Sequence, residues 1–242
     1  MDSLRFISHG LTHIGLVRQR NEDAFLDRPD LGIWAVADGM GGHHAGDFAS
    51  ASIVTALGAI EPAGDLDAFV EAAVCELAAV DGALRSRAAK LGPNAVIAST
   101  VVVLLAMHEH VEALWAGDSR LYRWRDGEFR RMSKDHSKVQ EMVDAGLLHP
   151  EQMSRHPYSN IVTRSVGAGP FELARLREPA QRGDRFLLCS DGLTNVMGDA
   201  EIAEELATAP PRDAALRLRD HVLARGAPDN VTIVIIHAEP AS

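Results

Sequence analysis

Five aspartates stand at the ends of short strand-like runs, and their positions constrain both the fold and the chemistry of the chain. Asp23 opens one run. Asp38 closes another, in WAVADG, and Asp118 follows a third, in LWAGDSR. Asp191 follows a fourth, in FLLCSDG, and Asp229 precedes a fifth, in PDNVTIVII. In an antiparallel pair the start of one strand lies beside the end of its neighbour. A hairpin that turns at Pro29–Gly32, centred on Asp30 and Leu31, places Asp23 directly opposite Asp38. Similar pairing of the other strands gathers several carboxylates on one sheet edge.

Each acid alone has an ordinary explanation, because Asp at a strand end is usually a turn residue bonded to nearby backbone N–H groups. A cluster is different. Like charges a few ångströms apart repel unless they protonate or share a counter-ion. A divalent cation removes that repulsion, and an all-oxygen donor set favours Mg²⁺ or Mn²⁺ over Zn²⁺. The eleven histidines show no zinc spacing: there is no HExxH, and Cys and His do not alternate.

The rest of the chain reads as one domain, residues 1–242, with no repeat or linker dividing it. Strands are expected at Ala24–Asp27, Ile33–Ala37, Thr100–Met107, Val111–Ala116, Leu121–Trp124, Glu128–Met132, Phe186–Ser190 and Val231–His237. Helical spacing covers Phe48–Ile60, Leu66–Leu91, Ser137–Leu148, Ala200–Thr208 and Asp213–Ala224, with Ser137 placed to cap its helix. Ser154–Arg164 reads as a surface loop. Hairpin-linked strands mixed with helices in this order indicate an α+β layered fold rather than a parallel βαβ fold.

Lys and Arg total 24 against 34 Asp and Glu, a net charge of 24 − 34 = −10. That excludes tracking along nucleic acid, which needs clustered cations. Cys75 and Cys189 lie in apolar stretches without paired-thiol spacing and read as two buried free thiols in a reducing compartment. The start of the chain lacks the regions of a signal peptide, and its longest nearly apolar run, Ala95–Met107, is too short to span a bilayer. The expectation is a cytoplasmic protein that does not engage a membrane.

Arg18, in GLVRQRNED, stands just ahead of the first acids. An arginine is usually a surface cation, but its fork of donors also matches a phosphate. Arg20 competes for that role, since strand period puts residues 18, 20 and 22 on one side. The glycines of DGMGGHHAGD join Asp38 to a helix starting near Asp47, and Gly39 would let a backbone carbonyl approach a cation closely.

In order, GLVRQRNEDA, VADGMGGHHAG, WAGDSRLY, KDHS, CSDGL and PDNVTIVI resemble the motifs of the metal-dependent protein phosphatases of the 2C class, bacterial branch. The likeness spans Thr12 to Ile236. It implies a four-layer α-β-β-α sandwich, two central antiparallel sheets flanked by helices. It implies that Asp38 bridges two Mn²⁺ or Mg²⁺ ions with the Gly39 carbonyl on one of them. Asp191 and Asp229 would ligate the second site, and Glu22 and Asp23 would hold the site directly or through water. Asp118, with Asp191, would form a weaker third metal site. Arg18 would bind the substrate phosphate, and Thr163 would belong to a flap bordering the cleft.

Two departures bear on this picture. Met40 stands where many eukaryotic members have a histidine general acid, leaving a metal-bound water, His43 or His44 for that role. Ser99–Thr100 replaces a commoner glycine and reads as a strand-packing variation without catalytic meaning. The implied activity is hydrolysis of phosphoserine and phosphothreonine in proteins by two-metal-activated water, with a monomeric enzyme opposing a bacterial Ser/Thr kinase. The rivals are a two-metal nuclease or small phosphoester hydrolase, and a phosphatase-fold binding or regulatory module of weak activity. The retained acids favour the enzyme.

Overall fold

The computed structural model describes residues 4–41, 45–61 and 64–241. Its elements run β1 (Leu4–His13), β2 (Asp23–Arg28), β3 (Ile33–Gly41), α1 (Ala45–Gly58), α2 (Leu66–Leu91), β4 (Ile97–Ser99), β5 (Val101–Met107), β6 (His110–Ala116), β7 (Arg120–Arg125) and β8 (Glu128–Arg131). There follow α3 (Lys138–Asp144), a 3₁₀ turn (Pro150–Arg155), β9 (Ala174–Pro179), β10 (Arg185–Cys189), α4 (Asp191–Thr194), α5 (Asp199–Thr208), α6 (Pro211–Ala224) and β11 (Val231–Pro240). One sheet runs β1-β11-β10-β7-β8 and the other β2-β3-β5-β6-β9, with β4 also paired to β3. Every pairing is antiparallel.

Alternation along the strands builds the layers. On β3, Trp34 and Val36 face the other sheet, while Ile33, Ala35 and Ala37 face α1 and α2. On β11, Val234 and Ile236 face between the sheets, while Ile233 and Ile235 meet α5 and α6. Both faces are covered, so these strands are apolar at nearly every position. The result is the expected α-β-β-α sandwich. Trp34 is fully buried, packs edge-on to Phe6 and donates from Nε1 to Ser8 Oγ at 3.0 Å. Trp34→Ala at this seam between the sheets should cost about 3–5 kcal/mol.

Several expectations need correction. β1 and β9 are not among the expected strands: each edges a sheet, and most of their residues are half-buried or exposed. The helix expected at Ser137–Leu148 ends at Asp144, although Ser137 caps it, accepting from the Gln140 N–H. The loop expected at Ser154–Arg164 begins inside the 3₁₀ turn, and Val162 bridges to Ser137. Cys189 is buried as expected, but Cys75 is exposed on the outer side of α2.

Candidate active site

The hairpin β2–β3 has the expected register, with Asp23 opposite Asp38. Near the end of β3 the Asp38 backbone is gripped from the neighbouring strands. Its N–H donates to Thr100 Oγ1 at 3.1 Å, and its carbonyl accepts from Thr100 N and Ser99 Oγ, both at 2.9 Å. Thr100 Oγ1 lies 2.7 Å from Ser119 Oγ. Ser99 and Thr100 are therefore more than packing residues: their hydroxyls fix the backbone that presents Asp38. Gly39 also has a packing reason to be glycine, because a Cβ there would lie 2.0 Å from the Gly46 carbonyl oxygen.

Asp191 opens the short α4 after β10, and its Oδ2 accepts from Asn195 Nδ2 at 3.0 Å. Asp229 leads into β11. Its Oδ1 accepts from the Asn230 N–H at 2.8 Å, and its Oδ2 from Arg18 at 2.6 Å. The two segments touch through Gly192, where a Cβ would fall 1.8 Å from the Asn230 carbonyl oxygen. Asp118 follows Gly117, whose φ of 117° turns the chain between β6 and β7.

A cleft of about 580 Å³ brings Arg18, Glu22, Asp38, Gly39, Asp118, Asp191 and Asp229 together. Of the expected metal and phosphate ligands only Asp23 is not on its wall. Asp23 sits beneath, 8% exposed, with Oδ2 accepting from Ser190 Oγ and Thr232 Oγ1 at 2.7 Å each. Its Oδ1 is buried without a partner among the described residues. Arg18 reaches the acids, whereas Arg20 lies 3.9 Å from Asp47. Asn160, Ile161 and Val162 form part of the cleft wall; Thr163 is exposed just beyond them, its N–H on the His136 carbonyl. Met40 also lines the cleft, while His43 and His44 lie outside the described residues. A second cleft of about 770 Å³ shares Asp118 and Asp191 and opens toward α3.

Burial and crowding act together on these acids. Burial, then the charges of Asp23, Asp191, Asp118 and Asp229, push Asp38 well above the usual carboxylate range. Burial, then Asp191, raise Asp118 to about 7. Burial raises Asp23 to about 7, against the hydrogen bonds from Thr232 and Ser190. Burial and then Asp229 raise Asp191. Arg18 is held charged by its bond to Asp229.

Residues 10–220 match the family described as Protein phosphatase 2C. The chain belongs to the protein phosphatase 2C family. It is 37% identical over 224 residues to the serine/threonine protein phosphatase PstP of Mycobacterium tuberculosis, covering 91% of this chain and 43% of that relative. The chain thus spans less than half the length of that relative. It is 30% identical to the protein phosphatase PhpP of Streptococcus pneumoniae, covering 93% of this chain and 95% of the relative. Among solved structures it is similar to PppA, a regulatory component of the T6SS in Pseudomonas aeruginosa, with TM-score 0.91, 43% identity and coverage of 98% and 100%. It is also similar to the catalytic domain of PstP in complex with two manganese ions, with TM-score 0.87, 34% identity and coverage of 98% and 99%.

The donor set fits the divalent cations of this 2C family. Among the described residues no group of three or more His, Cys, Asp or Glu side chains stands close enough to hold one ion as placed. What the cleft supplies is an all-oxygen set in which burial and then mutual repulsion raise the acids, and beneath it one buried oxygen of Asp23 has no partner among the described residues. Hard cations answer both features. Sequence reasoning missed the polar residues behind this set: Ser99, Thr100, Ser190, Asn230 and Thr232. A hydroxyl or amide within a strand or turn gives no signal of its own in a single sequence.

Proposed function

We propose that this domain hydrolyses phosphoserine and phosphothreonine monoesters of proteins in a reaction that depends on Mn²⁺ or Mg²⁺. The observation that carries the reading is a cleft in which Asp38, Asp118, Asp191, Asp229 and Glu22 face a single arginine, Arg18. Asp38, Asp191 and Asp229, with Glu22, Asp23 and the Gly39 carbonyl, would hold two core cations; Asp118 with Asp191 would hold a weaker third. Bound there, the cations supply an activated water as nucleophile and neutralise charge on the transferring phosphoryl group.

The chain's own residues do the remaining work. Arg18 binds and orients the phosphoryl oxygens with paired N–H donors. Ser99 and Thr100 keep Asp38 in place through its backbone. Ser190 and Thr232 hold Asp23 beneath the cleft by one oxygen, which leaves the second without a protein partner among the described residues. The wall at Asn160–Val162 borders the entrance, where residues flanking the phosphorylated side chain would lie.

A bacterial Ser/Thr kinase and its phosphorylated substrates are the expected partners, and the likeness to PppA and PstP supports a signalling role. We take the enzyme to work on them in the cytoplasm and as a monomer. No helix among the described residues is long and apolar enough to cross a membrane. The decisive experiment is turnover of a phosphothreonine peptide with and without Mn²⁺. Activity that returns with metal after chelation is expected. Full turnover after exhaustive metal removal would sink the reading, and no turnover under any metal would favour a binding module instead.

A further inference from the structure

The segment between β1 and β2 carries Arg18 and Glu22 but has no ladder of its own. Residues 14–22 are irregular, and Leu16 and Val17 are 64% and 67% exposed, so packing does little to hold them. Asn230 reaches into this segment from the start of β11. It is 5% exposed. Its Nδ2 donates to the Ile14 and Arg20 carbonyls at 2.8 Å each, and its Oδ1 accepts from the Glu22 N–H at 2.8 Å. Three bonds nearly exhaust the capacity of one amide, and all three go to this segment.

The grip passes onward. The Glu22 carbonyl accepts from the Gly39 N–H at 3.0 Å and from Ser50 Oγ at 2.6 Å. Asn230 itself follows Asp229, and its own N–H bonds that carboxylate. One buried side chain thus ties the neighbour of Asp229 to both ends of the arginine segment, and through Glu22 to the neighbour of Asp38. A close approach helps: Gly15, at φ +80°, lies where a Cβ would fall 2.2 Å from the Asp229 carbonyl oxygen.

We propose that Asn230 is a positioning residue that clamps residues 14–22 so that Arg18 and Glu22 stand pre-placed beside Asp229. The inference rests on the reading of Arg18 as the phosphate ligand. A rigid, pre-placed arginine binds phosphate without first ordering its loop, so the clamp acts on substrate binding more than on overall stability.

The test is Asn230→Ala in the full chain, read three ways: KM and kcat on a phosphothreonine peptide with saturating Mn²⁺, calorimetric binding of inorganic phosphate to the Mn²⁺-loaded protein, and hydrogen exchange along the chain. KM and the phosphate Kd should each rise by about 10–100-fold, the usual cost of losing a supporting residue behind a site. Exchange should quicken in residues 14–22 and stay slow in β10 and β11. A drop in Tm with KM, phosphate affinity and local exchange unchanged would reduce Asn230 to a stability residue and overturn the proposal. Arg18→Ala serves as the control. If it leaves KM and phosphate affinity untouched, the phosphate assignment of Arg18 fails and the proposal fails with it, even where exchange shows the segment loosened. If Asn230→Ala does not fold, amide exchange in the unaltered protein decides: Glu22 N–H should be as protected as the β11 amides, and exchange at the rate of an open loop would overturn the clamp.

Discussion

The two ends of strand β10 treat a carboxylate in opposite ways. At one end Asp184 is fully buried, and its charge is met inside the protein. Arg125 clasps both oxygens, at 2.5 and 2.6 Å, and the Gln181 N–H adds a third bond at 2.8 Å. At the other end Asp191 is half-buried among Asp38, Asp118 and Asp229, with Arg18 the cation bonded within that group. Nearby acids elsewhere follow the first pattern: Glu178 is shared by Arg123 and Arg130, and Asp135 is paired with Arg120. A buried acid with its own arginine is a structural residue. Acids that outnumber their cations and raise one another's pKa mark a place built for an external charge.

The largest expected effect separates these ends by activity. Asp38→Ala and Asp191→Ala should each lower turnover beyond the ~10–100-fold typical of a supporting residue, while the metal-free proteins melt no lower than the parent, since repulsion is relieved. Normal turnover in either variant would break the assignment. Removal of metal by chelation should mimic both variants, and returned Mn²⁺ should restore only the parent.

Asp184→Ala should do the reverse. It leaves a half-buried Arg125 with only the Pro179 carbonyl and should cost about 3 kcal/mol of stability, while kcat/KM per folded molecule stays unchanged. Urea unfolding alongside peptide turnover distinguishes the outcomes. A loss of turnover without a loss of stability would show that the two ends are not distinct in kind.

A smaller effect concerns the cation of the acidic end. Arg18→Ala should raise KM by about 10–100-fold, in line with losing a charge-assisted bond of 1.5–3 kcal/mol, and Arg20→Ala should change little. Strand spacing leaves the two arginines equivalent; their different partners, Asp229 and Asp47, separate them. A larger loss from Arg20→Ala would exchange the roles.

The same contrast explains which parts of the molecule are legible in its sequence. The hairpin from Asp23 to Asp38 is legible because Pro29–Gly32 fixes a turn between two apolar runs, and register then follows by counting. β5, β10 and β11 are legible because covering both faces leaves almost no polar position. β9 is not, since ARLREP alternates apolar residues with charges that are satisfied only across space: Arg177 on Glu112 and Asp67, Glu178 on Arg123 and Arg130. β1 pairs only with β11 and carries Gly10, whose missing Cβ makes room for Phe25, so its sequence gives a weak strand signal. In the site, acids at strand ends announce themselves through register. The Asn230 amide and the Ser99, Thr100, Ser190 and Thr232 hydroxyls do not, because their partners are backbone atoms and acids up to 216 residues away.

The smallest expected effect is a difference in sign with pH. Asp118 titrates at about 7 in the folded chain against an ordinary 3.8, chiefly through burial and then Asp191. Between those values the folded state holds a proton that the unfolded state has lost, so this group makes the metal-free protein less stable as pH rises from about 4 to 7. His237, opposite Arg185 on β10 and so at the Asp184 end, is pushed down to about 4 from 6.5 by burial, then by Arg185. There the folded state holds fewer protons, so stability rises with pH from about 4 to 6.5. Calorimetric Tm values for the metal-free parent, Asp118→Asn and His237→Gln should therefore diverge in opposite directions. The parent should gain on Asp118→Asn as pH falls through that window and lose on His237→Gln over nearly the same range, by a few degrees at roughly 2–4 °C per kcal/mol. Saturating Mn²⁺ should flatten the first difference, because a bound cation takes the place of the proton at the acidic end, and leave the second unchanged. Parallel curves for the two variants, or a manganese effect on the His237 difference, would mean that the ends of β10 do not handle charge as separately as their geometry indicates.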